Sequence, residues 1–258
     1  TVDPDPSQAN VSVTGHSGAN DTFVDGDDVV VVWDNSAATG DDIADLDGVT
    51  VDFSEFGGGA AVIAVDDGSG DDVAAGDDKW TATDAVTGAA QDVTDANVVV
   101  TATDDAGNTG TADSADEKLD NEDPAPTQAN IALSGDSGDN DTFVTGDTVT
   151  VVWDASAATG DDTADVTSVA VDLSEFGGGA AVVATDDGVA PDVAADDDKW
   201  SASAALDLAD QDVTDRNVTI TVTDDADNTG TADSADHKVD TVDPDPSQAN
   251  VSVTGHSG

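Results

Sequence analysis

The chemistry open to this chain is carboxylate chemistry. Of its 58 acidic residues 54 are Asp and 4 are Glu, against only 5 Lys plus Arg. Hard cations such as calcium take about six to eight oxygen ligands, and the short Asp side chain supplies them with little flexibility. No EF-hand loop is present. Gly68-Ser69-Gly70-Asp71-Asp72 touches on the Gly-rich calcium repeat, but its counterpart Gly188-Val189-Ala190-Pro191 does not keep it. Nucleophilic catalysis has one candidate, Gly15-His16-Ser17-Gly18-Ala19. A nucleophile elbow needs a helix after its serine and a glycine where Ala19 stands, and the second copy of the sequence puts Asp136 at the histidine position. His16, His237 and His256 do not recur at equivalent places in both copies, which argues against a triad or a histidine metal site. A glycosidase pair would want aromatic platforms, and aromatics are 3% of the chain. The chain therefore reads as a protein without catalytic activity. Asn10, Asn20, Asn140, Asn217 and Asn250 open Asn-x-Ser/Thr sequons, and Asn20 and Asn140 fall at matching places in the two copies.

These residues are placed by a repeat. Trp33-Asp34 returns as Trp153-Asp154 and Lys79-Trp80 as Lys199-Trp200, each about 120 residues later, and residues 241–258 repeat residues 1–18 letter for letter. The expected organisation is one domain over 1–120, a second over 121–240, and the first strand of a third over 241–258, as in a window on a longer array. Each copy accommodates about seven strands. In the first these are A (10–14), B (29–34), C (49–53), D (60–65), E (79–83), F (97–103) and G (109–115), all rich in β-branched residues and separated by Gly/Asp/Asn clusters. Alternation supports them: Val49, Val51 and Phe53 share one face of strand C, with Thr50 and Asp52 on the other. Such a count in an all-β module of this length predicts tandem immunoglobulin-like β-sandwiches. Trp33, Trp80, Trp153 and Trp200 are the expected core anchors in a core otherwise poor in bulky groups.

Val-Thr-Ala-Thr-Asp-Asp-Ala-Gly-Asn-Thr-Gly, residues 100–110, resembles the closing strands of Ig-like tandem repeats in bacterial and archaeal surface proteins and adhesins, with the acidity of the haloarchaeal type. The stretches 51–59 and 79–83 share the likeness, and the second copy departs from it at Asp227, where the turn glycine would stand. The resemblance implies an extracellular stalk, fibre or adhesin extender, stiffened by calcium between modules. Its partners would be adjacent repeats of the same array, or lateral or head-to-tail copies in a filament.

With strands alternating in direction, the B-C, D-E and F-G loops share a pole with the connector that leads into each module. That logic places Asp224 and Asp225 toward Asp120 and Asp123, Asp104 and Asp105 toward Asp3 and Asp5, and Asp240 and Asp243 toward the next module's F-G loop. A cation at each junction is the expectation, and a solvated acidic face is the alternative. The paired prolines of the connectors make them short and stiff.

A net charge of -53 over 258 residues strains a compact state by self-repulsion in dilute buffer, and concentrated salt relieves it. The same charge repels nucleic acid and anionic lipid. Cys and Met are absent, no run of apolar residues reaches membrane-spanning length, and any export signal or anchor is expected outside this window. Two further readings stay open. One is a glycan- or protein-binding adhesion module. The other is a strand-swapped polymer, in which residues 241–258 occupy the first strand's groove in another subunit.

Overall fold

The computed structural model describes residues 3–41, 43, 45–161 and 165–244. Two compact units divide the chain: Thr1–Asp123 with Asp225–Asn228, and Pro124–Asp224 with Thr229–Gly258. The first holds β1 (Val11–Thr14), β2 (Thr22–Phe23), β3 (Asp28–Asp34), β4 (Leu46–Asp52), β5 (Val62–Ala64), β6 (Lys79–Ala85), β7 (Asp92–Ala96), β8 (Val99–Asp104), β9 (Thr109–Asp113) and β10 (Glu117–Asp120). Matching strands follow in the second copy. They are β11 (Ile131–Ser134), β12 (Thr142–Phe143), β13 (Thr148–Asp154), β14 (Ser168–Asp172), β15 (Val182–Ala184), β16 (Lys199–Ala205), β17 (Asp212–Arg216), β18 (Thr219–Thr223), β19 (Thr229–Asp233) and β20 (His237–Asp240).

All seven expected strands of the first copy form, as β1, β3, β4, β5, β6, β8 and β9, and they build two sheets in the orders β1-β3-β6 and β5-β4-β8-β9. The second copy repeats both, as β11-β13-β16 and β15-β14-β18-β19. The protein is all-β, a tandem of Ig-like sandwiches. Strand D (β5) pairs with C (β4), and just after it Val65 forms an isolated antiparallel bridge to Thr81 of E (β6). A third small sheet was not expected from the sequence. In it β10 pairs in parallel with β2 and antiparallel with β7, and β20 does the same with β12 and β17.

Alternation creates the core. In β3 Val29, Val31 and Trp33 are fully buried while the residues between them are half-buried, because successive side chains face opposite sides of a strand. All five Phe residues are completely buried, with Phe23 edge-on to Phe56 at 5.3 Å and Phe143 edge-on to Phe176 at 5.4 Å. Aromatics are few, and the core takes the bulk of them. Trp33 and Trp153 are buried anchors as expected; Trp80 and Trp200, directly across the strand pair, are half-buried and pack against the core margin.

Candidate functional site

Each unit begins with a lead-in segment that its own loops hold by side-chain chemistry. In the first, Asp41 of the B-C loop accepts hydrogen bonds from the Ser7 amide (3.0 Å), the Ser7 hydroxyl (2.9 Å) and the indole Nε1 of Trp33 (2.9 Å). One carboxylate thus ties the incoming chain to the central core residue. Asp161 repeats the arrangement, accepting from the Thr127 amide (2.8 Å) and the Trp153 indole (3.0 Å). Burial would raise the pKa of both carboxyls. The hydrogen bonds outweigh it and hold both below the usual carboxylate range, Asn10, Trp33 and Ser7 acting on Asp41, and Trp153, Thr127 and Asn130 on Asp161.

Backbone packing completes the hold. A Cβ at Gly110 would overlap the Pro4 carbonyl oxygen, and one at Gly230 would overlap that of Pro124, so only glycine lets the lead-in cross the start of the last sandwich strand. Gln8 donates to the Ser114 carbonyl (2.7 Å) and Gln128 to that of Ser234 (3.1 Å). The lead-in then becomes β1, with Val11 opposite Trp33, or β11, with Ile131 opposite Trp153. Past the strand, Ser17 gives its amide (2.9 Å) and hydroxyl (2.5 Å) to Asp27, and Ser137 does the same to Asp147 at 3.1 and 2.6 Å. The elbow-like serine therefore has a structural role: it fastens the A-B loop. His16 stands edge-on to Phe23, and His237 stands edge-on to the equivalent Phe143, although their sequence positions differ.

The D-E loops gather carboxylates. Oxygens of Asp66, Asp72 and Asp77 lie within 4.8 Å of one another, as do those of Asp186, Asp192 and Asp197. That spacing fits one calcium ion, whose ligand oxygens lie at about 2.4 Å and hence at most about 4.8 Å apart. The same acids brace the loop: Asp66 accepts from the amides of Gly76, Asp77 and Asp78, and Asp186 from those of Asp197 and Asp198. Sequence reading missed this triad because it compared consecutive letters with a glycine-rich motif. The usable signal was the recurrence of three acids at the same intervals in both copies.

Of the acids singled out from the sequence, Asp3, Asp5, Asp105, Asp123, Asp225, Asp240 and Asp243 are exposed, whereas Asp104, Asp120 and Asp224 are buried. Asp104 closes its own turn. It accepts from the side chain of Asn108 (2.8 Å) and from the amides of Ala106 (2.9 Å) and Asn108 (2.8 Å), and these bonds, Asn108 first, keep its carboxyl below the ordinary value. Asp120, at the end of β10, accepts from the Glu122 amide (3.1 Å). Asp227 holds the turn at φ 74, close to the φ 84 of Gly107, so the left-handed conformation survives without glycine. Among the sequons, Asn20 and Asn140 are exposed, Asn10 and Asn217 are half-buried, and Asn250 lies outside the described residues.

No family model matches the chain, and no curated protein matches it. Distant likenesses appear among solved structures. The fibronectin(III)-like modules of Clostridium thermocellum CbhA are 14% identical, covering 96% of this chain and 100% of that one at a TM-score of 0.32. The Bacteroides ovatus SGBP-B of a mixed-linkage glucan utilization locus, in complex with a heptasaccharide, is 12% identical over 93% of this chain and 46% of that one, at 0.24. The N-terminal Ig1-2 module of the Drosophila receptor protein tyrosine phosphatase DLAR is 9% identical over 93% and 96%, at 0.20. The sandwich is defined by its own strand orders, β1-β3-β6 and β5-β4-β8-β9. Among the described residues no helix is long and apolar enough to cross a membrane.

Proposed function

We propose that this chain is part of an extracellular repeat array, a stalk or extender on the surface of a cell living in concentrated salt, with each sandwich serving as a spacer and no catalytic role. The observation that carries this reading is the duplicated lock on the lead-in segment. Both units fasten the incoming chain through a B-C loop Asp, a core Trp and a glycine under a proline carbonyl. A repeated anchoring of chain to body suits a part whose task is to transmit position and load. The acidity supports the saline setting.

Cations belong to the same proposal. The D-E triads are the best-formed sites, and the connector and F-G acids expected from the sequence, Asp120, Asp123, Asp224, Asp225 and their counterparts, are offered as further ligands, with calcium the fitting ion. Glycans on the exposed Asn20 and Asn140 would suit an exported protein. A groove of about 240 Å³ beside β5 in the first unit is lined by Val62, Ile63, Val65, Asp71, Thr81 and Thr83 among others, without an aromatic ring, and so lends no weight to sugar binding.

Immunogold labelling of intact cells tests the spacer role. An epitope placed outward of the repeats should move closer to the envelope when residues 121–240 are deleted in frame. An unchanged distance, or a chain found only inside cells, overturns it.

A further inference from the structure

Exposed apolar side chains are not scattered over this acidic surface. Among the described residues the large exposed ones are Ile63, Val73, Val183, Val189, Val193 and Val242, and all but Val242 lie on strand D or in the D-E loop. The pattern recurs position for position. Ile63 and Val183 are 73% and 70% exposed, and Val73 and Val193 are each 92% exposed. Single exposed apolar residues are ordinary, but a cluster that returns on the same face of both bodies marks a surface that is covered in use.

The loop that carries Val73 is firmly held. Asp72, buried just before it, accepts from the Gly68 amide, and Asp71 accepts from the Thr83 hydroxyl of β6 (2.6 Å). In the second body Asp192, also buried, accepts from the Gly188 amide and from that of Val193 itself (2.7 Å). Beside the projecting valine of the first body lies a hollow. The groove of about 240 Å³ is lined by Val62, Ile63 and Val65, by Thr81 and Thr83 of β6, and by residues 69–72, which lead straight into Val73.

We propose that the D-E face is a self-association surface whose occupant is the D-E face of a second copy of this chain, with Val73 of each copy seated in the groove of the other. Knob and groove on one face make the surface self-complementary, as a twofold contact requires. Area decides the kind of partner. Two or three aliphatic side chains offer on the order of a few hundred Å², well below the roughly 1,200–2,000 Å² of a stable pair. One face alone therefore holds a partner weakly, and a lasting union needs a partner that presents the face more than once. A second copy does so, because both of its bodies carry the patch and a second engagement becomes intramolecular. The acids of the same loop, Asp66, Asp67, Asp71 and Asp77, oppose a like-charged copy in dilute buffer and are screened in concentrated salt. Association should therefore rise with salt, the reverse of binding by ion pairs. The inference goes beyond the spacer role, since an array holds its length without pairing sideways and either property can fail alone.

Sedimentation velocity of the full chain, in chelator and at rising KCl within the folded range, reads the association. The weight-average mass should climb with protein concentration, and more steeply as KCl rises. Val73→Asp/Val193→Asp should weaken association at least about tenfold with the melting temperature kept, because both positions are almost fully exposed. The chain has no cysteine, so the contact can also be trapped. In a mixture of Val73→Cys and Ile63→Cys chains, oxidation should join unlike chains in preference to like ones. A chain that stays monomeric at every concentration and salt leaves the face to a different partner and overturns the proposal. Mass that falls as salt rises, association that the Asp substitutions leave unchanged, or cross-linking that joins like chains as readily as unlike ones also overturns it.

Discussion

At the scale of single residues, the pivotal groups are Asp41 and Asp161. Each carboxylate accepts from a lead-in amide and from the buried indole of a core tryptophan. Because both folded-state pKa values are depressed, the stabilisation they provide is complete above the unfolded value, about 3.9, and is lost as pH falls through the folded value. Acid unfolding in concentrated KCl should accordingly have a limb below about pH 4. Asp161→Ala leaves the Trp153 and Thr127 donors without their acceptor, and should cost on the order of 3 kcal/mol in denaturant melts at neutral pH while flattening that limb. An unchanged acid limb would remove Asp161 from this role. Nothing in the sequence marked these two among 54 aspartates. A carboxylate is chosen by what the fold brings within hydrogen-bonding reach, and composition carries no such information. Trp33 and Trp153 were legible as anchors, because a large apolar side chain inside an alternating strand has only one favourable side, whereas Trp80 and Trp200 sit at the core margin.

At the scale of elements, the seven strands of each sandwich were legible because they alternate and are β-branched. The third small sheet was not. β2 is two residues long, β7 is Asp-Val-Thr-Asp-Ala, and β10 is Glu-Lys-Leu-Asp. Each has too few apolar positions to show a period, and the pairing comes from long-range contact in which Phe23 and Leu119 are buried together. The lead-in also behaves as an element whose placement depends on a distant glycine. Gly230→Ala should push the Pro124 carbonyl off the start of β19 and lower stability by about 1–3 kcal/mol. Hydrogen exchange should show the damage in β11 and at Thr127, with the first unit unaffected. Equal protection in wild type and variant would show that the crossing tolerates a methyl group.

At the scale of the whole molecule, a net charge of -53 must be offset by the solvent. Near 1 M salt the screening length is about 3 Å, which removes diffuse repulsion but leaves acids held within 4.8 Å of each other. Bound cations and bulk salt are therefore separable. At constant ionic strength, calcium should raise the melting temperature over chelator, by the equivalent of about 2.7 kcal/mol at a hundredfold excess over Kd. Asp72→Asn with Asp192→Asn should erase the gain; identical melts with calcium and chelator would leave the triads as loop braces only. The parallel pairing of β10 with β2, and of β20 with β12, has a mechanical consequence. Traction along the chain drags the last strand of a body lengthwise past a partner near its start, so the hydrogen bonds between them are loaded side by side and must fail together. A body closed in this way resists stretching in proportion to the whole seam, and its lifetime under tension is set by an unfolding rate rather than by its equilibrium stability.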